Sequence, residues 1–526
     1  MSSTLALPLL SLEHLVIEFN AHPLGYTLTV LLVAIFTYIF LSDSASKQPP
    51  LVNQASSLFS LGRTKRAFLT SSKDILDKAR TLYPAQPYRV TSDLGEVLVL
   101  PPELADEIRN NPKLSLATAT YNDLNGDLPG FDIAKIGSHG DAILQAVIKK
   151  QLTKSLVKTS EPMSEEAARA VATNLGYSPE WKEIKLRPAA FDIVTRVTSR
   201  VFVGEELCRD EHWLRVTQDY AMTVIVAATK LRMYPKFLRK FIYRFVPECN
   251  KARSLIDECR RVVMAVIDER EAATKAALQA GKPVPEWDDA ISWAEHEALT
   301  RGTKYDPAVY QLTLSFAAIH STSDLLAKVM LDIATHPEII EPLRREISDS
   351  LRGQGWKKGS LYNMKLLDSV IKETQRVTPL LLATMRRRVE GNVVLSTGLK
   401  LKPGMRTIVE TSRMRDPDIY NDPDKWDPYR FFNLRSDPVK GEHAQLVATG
   451  PDYLAFGHGE HACPGRFFAA HELKVAVCHL VMKYDWKLSS LPQSKTMLSG
   501  FSCFVNPTTT LMVRNAKHVE IDLDSI

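Results

Sequence analysis

The chain has 526 residues, of which 45% are apolar, 24% charged and 8% aromatic, a balance that excludes a disordered, collagen-like or multi-span membrane protein. Lys plus Arg number 66 against 61 for Asp plus Glu, a formal charge of +5; that is small for this length, and without a Lys/Arg tract the sequence offers no nucleic-acid groove. The six cysteines show no CxxC spacing, which points to a reducing compartment rather than a disulfide framework.

Between Phe19 and Ser42 there is no Asp, Glu, Lys or Arg, and residues 24–41 read LGYTLTVLLVAIFTYIFL. As a helix those positions span about 27 Å, close to the hydrocarbon thickness of a bilayer. A single transmembrane anchor is expected within an N-terminal segment, residues 1–46. Lys47, Arg63, Lys65 and Arg66 follow the run, whereas Glu13 and Glu18 precede it and no Lys or Arg does. That asymmetry argues against a cleaved signal peptide and places the body of the protein in the cytosol. Pro49 and Pro50 cannot continue a helix and mark a stiff hinge over 47–60. No linker-like composition interrupts residues 61–526, which read as one large domain.

Within that domain, strand-like runs at 88–91 and 96–100 flank Asp93-Leu94-Gly95, a hairpin turn. Further short strands are expected at 393–395, 399–401 and near 508–513. Helical spacing dominates elsewhere, over 140–158, 190–203, 211–229, 250–279, 306–335, 336–350, 362–377 and 465–483. The expected class is therefore mainly α with small β-sheets. Residues 230–247, KLRMYPKFLRKFIYRFVP, interleave basic and apolar side chains, as an element lying in a lipid headgroup region does; an amphipathic helix and loop joining the core has the same pattern.

The most informative stretch is FGHGEHACPGR, from Phe456 to Arg466. A single cysteine stands in a glycine-rich loop that leads into an apolar helical pattern. Amide N–H groups and the positive end of a helix dipole favour a thiolate there, and thiolate is a strong ligand for iron. Gly457, Gly459 and Gly465 allow a flat group to approach the backbone closely. Two other readings exist: His458, His461 and Cys463 as zinc ligands, although no second ligand pair follows at finger distance, or Cys463 as an ordinary core thiol.

This loop resembles the haem-binding signature of the cytochrome P450 superfamily, Phe-x-x-Gly-x-x-x-Cys-x-Gly, with Phe456, Gly459, Cys463 and Gly465 in its fixed places. Upstream, Glu373-Thr-Gln-Arg376 is similar to the family's Glu-x-x-Arg helix, where the two charges share one helix face. Pro428-Tyr-Arg430-Phe431 is similar to the element that supplies a second arginine, so the resemblance makes Glu373, Arg376 and Arg430 a structural triad. On the 306–335 helix, Ala317-Ala-Ile-His-Ser-Thr322 is similar to the oxygen-activation motif. Ala318 takes the small place, His320 replaces the usual acid and Ser321 the usual threonine, with Thr322 beside them; hydroxyl and imidazole groups both relay protons.

The resemblance implies the cytochrome P450 fold behind one N-terminal transmembrane helix, with 61–526 as a haem-thiolate catalytic domain. It implies haem b with the Cys463 thiolate as axial iron ligand and cofactor contacts from Phe456, Gly459, His461, Gly465 and, as a weaker propionate candidate, Arg386. The family's Trp-x-x-x-Arg helix has no Trp here, which leaves His139, Lys149 or Lys150 in its place. Electrons are expected from NADPH through a membrane-bound NADPH–cytochrome P450 reductase, with Arg466 and Lys474 as docking cations. O2 and a lipophilic substrate are the other partners, in the endoplasmic reticulum membrane with the catalytic domain cytosolic. FGHGEHACPGRFFAAHELK is particularly similar to fungal members that oxidise terpenoids and alkaloids. The expected substrate walls are residues 117–131, Phe316, Ala317, residues 380–384 and residues 499–504. An isomerase or dehydratase needing no external electrons, and a non-catalytic haem or lipophile carrier, are the alternatives.

Overall fold

The computed structural model describes residues 23–42, 48–57, 60–136, 142–490, 496–517 and 521–526. The chain divides into two compact units, Met1–Pro50 and Leu51–Ile526. In the first, α1 (Pro23–Ser42) covers the apolar run; the side chains of residues 35–42 lie outside the described ones. Among the described residues no helix is long and apolar enough to cross a membrane.

The second unit already holds the chain at its first residue. Leu51 forms a parallel bridge with Arg89, and the Asn53 amide exchanges hydrogen bonds of 2.9 and 2.7 Å with the Thr91 backbone. Leu51 and Asn53, within the expected spacer over 47–60, are thus tied to the sheet.

Helices build most of this unit: α2 (Leu61–Leu82), α3 (Leu116–Asp123), α4 (Thr153–Leu175), α5 (Leu186–Phe202), α6 (Glu211–Arg232), α7 (Lys236–Ile242), α8 (Pro307–Thr335), α9 (Lys365–Val377) and α10 (Arg466–Lys483). At its centre runs α8, whose second half, from Thr322 to Ile333, is buried on every side, as a helix apolar around most of its circumference must be. Asp306 starts it by accepting the Ala308 and Val309 amides at 3.0 and 3.2 Å, and Pro307 fills the first turn, where no N–H is needed. Packed beside it, α5 meets α10 through Phe202 stacked on Phe468 at 5.5 Å.

A five-stranded sheet forms the other part, from β1 (Tyr88–Ser92), β2 (Gly95–Leu100), β3 (Leu114–Ser115), β4 (Ala383–Val389) and β5 (Arg406–Glu410), in the order β1-β2-β5-β4-β3. The Asp93-Leu94 turn joins β1 to β2 in the register Ser92↔Gly95, and Gly95 takes φ +99°, which a side chain would resist. A second hairpin, β6 (Thr496–Ser499) and β7 (Ser502–Val505), backs residues 380–382 through a Leu381↔Ser502 bridge.

The helices expected over 306–335, 362–377 and 465–483 are α8, α9 and α10. Where 140–158 was expected as one helix, a π-helical turn (Val147–Leu152) leads into α4, which continues to Leu175 through Pro162. The sequence pattern hid α2, Ala290–Arg301 and the two central strands β4 and β5. Basic side chains at Arg386, Arg387, Arg388 and Arg406 break the apolar alternation by which strands are read.

Candidate active site

Between α8 and the loop that precedes α10 lies a cavity of about 540 Å³ with a mainly apolar lining, in the size range of small-molecule sites. Cys463, Phe456, Gly465 and His461 line one side, and Ala317, Ala318, Ser321 and Thr322 of α8 line another. Larger depressions of about 750 and 900 Å³ on the surface are walled by charged groups such as Arg270, Glu205 and Arg169.

The cysteine loop is built by its own backbone. Cys463 N–H donates to the Phe456 carbonyl at 2.8 Å and Gly457 N–H to Leu454 at 2.8 Å, folding the loop back on itself. Gly459 has φ +81°, and a Cβ there would come within 2.5 Å of Asn110 Oδ1 and 2.6 Å of Arg109 Cβ; the close approach to the segment after β2 requires glycine. Gly465 differs, since a Cβ on it would meet nothing within 4 Å. Glycine at that position therefore keeps open space on the cavity side.

Burial pushes the Cys463 thiol above its ordinary value, while the Gly465 and Arg466 amides and the Arg466 guanidinium pull it down. The net direction is the reverse of the expected thiolate stabilisation, because desolvation outweighs the amides in the protein alone. The donor set of two amides and one cation still suits a thiolate bound to a metal.

His461 lines the cavity as a nitrogen donor, pushed below its ordinary value by burial and by the Arg387 cation. Arg386 also lines the cavity, but its Nη1 pairs with Asp123 Oδ2 at 3.4 Å. The sequence reading missed Arg387, which is almost fully buried and lines the cavity. Its hydrogen bonds go to the Arg386 and Arg109 carbonyls at 2.9 and 3.4 Å, and its Nε has no partner. Burial lowers it to about 10. A desolvated guanidinium beside a cavity calls for an anion, and the propionate groups of haem fit that need. Lys149 and Lys150 are exposed on the π-helical turn, and His139 lies outside the described residues.

On α8, Ser321 and Thr322 face the cavity and His320 does not. The His320 ring lies 5.2 Å from Phe191 of α5 and 6.1 Å from Phe316, its Nε2 has no partner, and burial lowers it to about 4. One step along a helix rotates a side chain by about 100°, which separates it from Ser321. This corrects the expected grouping of the three. Of the expected walls, Thr120, Ala317, Leu380, Leu381 and Thr384 do line the cavity. Phe316 packs on His320, and the β6–β7 hairpin stands behind the wall, tied to α8 by Lys328 donating to the Cys503 carbonyl at 2.7 Å. Ile148, Leu152, Phe202 and Leu325 are wall residues that the sequence did not single out.

Glu373, Arg376 and Arg430 are brought together beneath the site. Arg376 Nε and Nη2 each meet a Glu373 oxygen at 2.8 Å with both side chains at 0% exposure. Arg430 Nε reaches the same carboxylate at 3.1 Å, and Arg376 Nη1 continues to the Met414 and Pro423 carbonyls at 2.8 and 2.7 Å. Of the expected docking cations, Lys474 is buried against Asp368 at 2.6 Å and Arg466 donates to the Val447 and Cys463 carbonyls at 3.1 and 2.9 Å. Lys474 thus serves the interior, and Arg466, half-buried, braces the cysteine loop.

A family model for cytochrome P450 matches residues 141–514. Over 495 residues the chain is 41% identical to cytochrome P450 monooxygenase hepE of Aspergillus oryzae, covering 94% of this chain and 90% of that one. It is 39% identical to cytochrome P450 monooxygenase eqxH of Fusarium heterosporum, covering 91% and 92%. A solved structure of retinoic acid-bound cyanobacterial CYP120A1 superposes with TM-score 0.61 over 86% of this chain and 96% of that one, at 18% identity, a likeness of fold. The chain belongs to the cytochrome P450 family. It is an enzyme of the monooxygenase class, and its family's chemistry rests on haem held by a cysteine thiolate, a redox-partner reductase, O2 and a lipophilic substrate.

Proposed function

We propose that Cys463 is the thiolate that holds the haem, and that the chain hydroxylates or otherwise oxidises a bulky lipophilic natural product, a terpenoid or alkaloid intermediate of fungal secondary metabolism. The observation that carries this reading is one cavity lined by Cys463 and Gly465 on one side and by Ala317, Ala318 and Ser321 on another. Haem bound there supplies reductive activation of dioxygen and transfer of one oxygen atom to a C–H bond, driven by the thiolate's electron donation.

The chain's own residues do the rest. Arg387 and His461 would hold the propionate groups of the cofactor, and Phe456 and Gly459 shape the cysteine loop. Ala317 and Ala318, being small, leave room on the α8 side of the cavity. Ser321 Oγ donates to the Ala317 carbonyl at 3.4 Å, a long bond that leaves the hydroxyl proton easily redirected into the cavity. With Thr322 it forms the proton-relaying pair; His320, between two phenylalanines, stays neutral and outside the relay. Glu373, Arg376 and Arg430 brace the segment after α9.

The reading includes a single-pass anchor over residues 24–41, a location at the endoplasmic reticulum membrane with the main domain cytosolic, and electrons from NADPH through NADPH–cytochrome P450 reductase. The apolar run in α1 supports the anchor. On and just after α7, Phe237, Phe241 and Phe245 are 72%, 69% and 84% exposed, spaced by one helical turn each, which suits a lipid surface.

The test is turnover with NADPH, the reductase and isotopically heavy dioxygen. One heavy oxygen atom in the product, with NADPH consumed, supports the reading. Product without NADPH would make the chain an isomerase or dehydratase, and stoichiometric binding without product would make it a carrier.

A further inference from the structure

Next to Arg386, which lines the cavity, lies an accumulation of positive charge that the haem chemistry does not use. Lys65 from α2, Arg232 at the end of α6, Arg239 in α7, Arg386 and Arg388 in β4 and Arg406 in β5 converge on the segment that follows α3. Three of these cations share two carboxylates: Arg232 Nη1 meets Asp93 Oδ2 at 3.0 Å, and Arg386 and Arg406 meet Asp123 at 3.4 and 3.2 Å.

Among the described residues the other three make no ion pair, and Asp93 acts on Lys65, and Asp123 on Arg239 and Arg388, only from a greater distance. Lys65 Nζ donates to the Arg232 carbonyl at 3.1 Å, and Arg239 donates to Asn125 Oδ1 at 2.8 Å and the Tyr234 carbonyl at 3.0 Å. Among the described residues Arg388 has no carboxylate within ion-pair reach, and Arg406 Nε is buried without a partner. Lys65, Arg239 and Arg388 are all pushed below their ordinary values, by burial first and then by neighbouring guanidinium groups. Asp127, which also acts on Arg239, is exposed.

A network that served only to tie α2, α7 and the sheet together would pair its charges, because a half-buried cation without a counter-charge is unfavourable. Here six cations face three carboxylates among the described residues, and one of the six stands on the wall of an apolar chamber. Arg386 belongs to both: it lines the cavity and reaches into the cluster. Thr120 and Leu116, on the same short helix as Asp123, line the adjoining wall.

We propose that this cluster is a carboxylate-recognition site, and that the substrate is an amphipathic acid whose apolar body lies in the cavity while its carboxylate sits among Arg386, Arg239 and Arg406. The inference rests on the monooxygenase reading above and narrows its substrate class. Guanidinium groups suit this role because their planar donors match a carboxylate and remain charged at any physiological pH. The same anionic chemistry is offered by a phospholipid headgroup, and the experiment separates the two.

The full-length, haem-loaded protein is placed in phosphatidylcholine bilayers, and binding of tetradecanoate and of its methyl ester is measured by equilibrium dialysis at low salt and pH 8. The acid is expected to bind about tenfold or more tightly, and Arg386→Gln or Arg239→Gln to bring that ratio below about threefold. Arg386→Lys is expected to keep most of the preference. A normal carbon monoxide spectrum in each variant shows that it has folded around its haem.

Equal binding of acid and ester by the unaltered protein, failure to bind either, or a preference that survives both Gln variants would overturn the proposal. It would also be overturned if Arg239→Gln abolished a preference for phosphatidylserine over phosphatidylcholine vesicles while leaving the acid-to-ester ratio unchanged, since the cluster would then read lipid. Failure of the underlying haem-thiolate reading would appear separately, as an abnormal carbon monoxide spectrum in the unaltered protein.

Discussion

Arg387 Nη1 donates at 2.9 Å to the backbone carbonyl of Arg386, its neighbour on β4, whose own guanidinium goes to Asp123 at 3.4 Å. Adjacent and chemically identical, the two side chains have different tasks. Arg387 is the buried one without a carboxylate, so Arg387→Leu is expected to accelerate haem loss by about tenfold or more, the scale of one charge-assisted contact. Arg386→Leu should leave haem retention within about twofold of normal. Haem transfer to an excess of a stronger haem acceptor measures both rates.

The Glu373–Arg376 pair makes a different demand. Both groups are inaccessible and joined by two 2.8 Å bonds, so removing one charge strands the other in the interior. Glu373→Ala is expected to cost about 3–5 kcal/mol, seen as a lower denaturation midpoint and a collapse in the yield of haem-loaded protein. Arg430→Ala should cost less, because Arg376 remains to neutralise the carboxylate.

Much of this was legible in the sequence where a motif is local. The Cys463 loop stood out by its glycines and proline, and Glu373 and Arg376 through the resemblance to the family's Glu-x-x-Arg helix, since their spacing alone is common on any helix. What could not be read is direction. In the run MRRR the residue that points inward is decided by the register shift between Thr384 and Arg387 and by Met385 at φ +52°, neither of which leaves a mark in composition. His320 posed the same problem, since only the packing of α5 against α8 tells which face of the helix meets Phe191. The strands β4 and β5 were missed because their charged residues line the cationic cluster rather than solvent.

On the distal side the roles of neighbours separate by one helical step. Ser321→Ala is expected to leave substrate affinity intact but to reduce product formed per NADPH consumed by about tenfold or more, the scale of a positioned proton donor. His320→Phe should leave that ratio unchanged, because the ring packs on Phe191 and Phe316 away from the cavity, and should change thermal stability little, since it removes an unpartnered Nε2 but also the ring's hydrogen bond to the Ala221 backbone. A His320 variant that uncoupled oxidation would return the imidazole to the relay.

Buried groups on α10 set the pH range of stability. Burial raises the Glu472 carboxyl to about 8, with only the Thr198 hydroxyl donating to it, at 2.5 Å. A carboxyl raised on folding contributes stability that is complete below its unfolded value near 4.5 and is lost as pH climbs toward 8. Glu472→Gln, permanently neutral, is therefore expected to match the parent near pH 5 and exceed it at pH 8 by about 2–3 kcal/mol. His471 and His479 act in the opposite sense. Burial lowers both to about 3, so the stability they contribute is full above pH 6.5 and falls away as pH drops from there toward 3. Denaturant midpoints across pH 4–9 check both limbs.

The most direct measurement is the carbon monoxide difference spectrum of dithionite-reduced membranes carrying the parent chain and Cys463→Ala. A strongly red-shifted Soret band in the parent, absent from the variant, is the expected result, because a thiolate holding the haem iron would donate enough electron density to move the band that far. A parent that incorporates haem without this band, or a variant that retains it, would contradict the assignment of Cys463 and the oxygenase mechanism built on it.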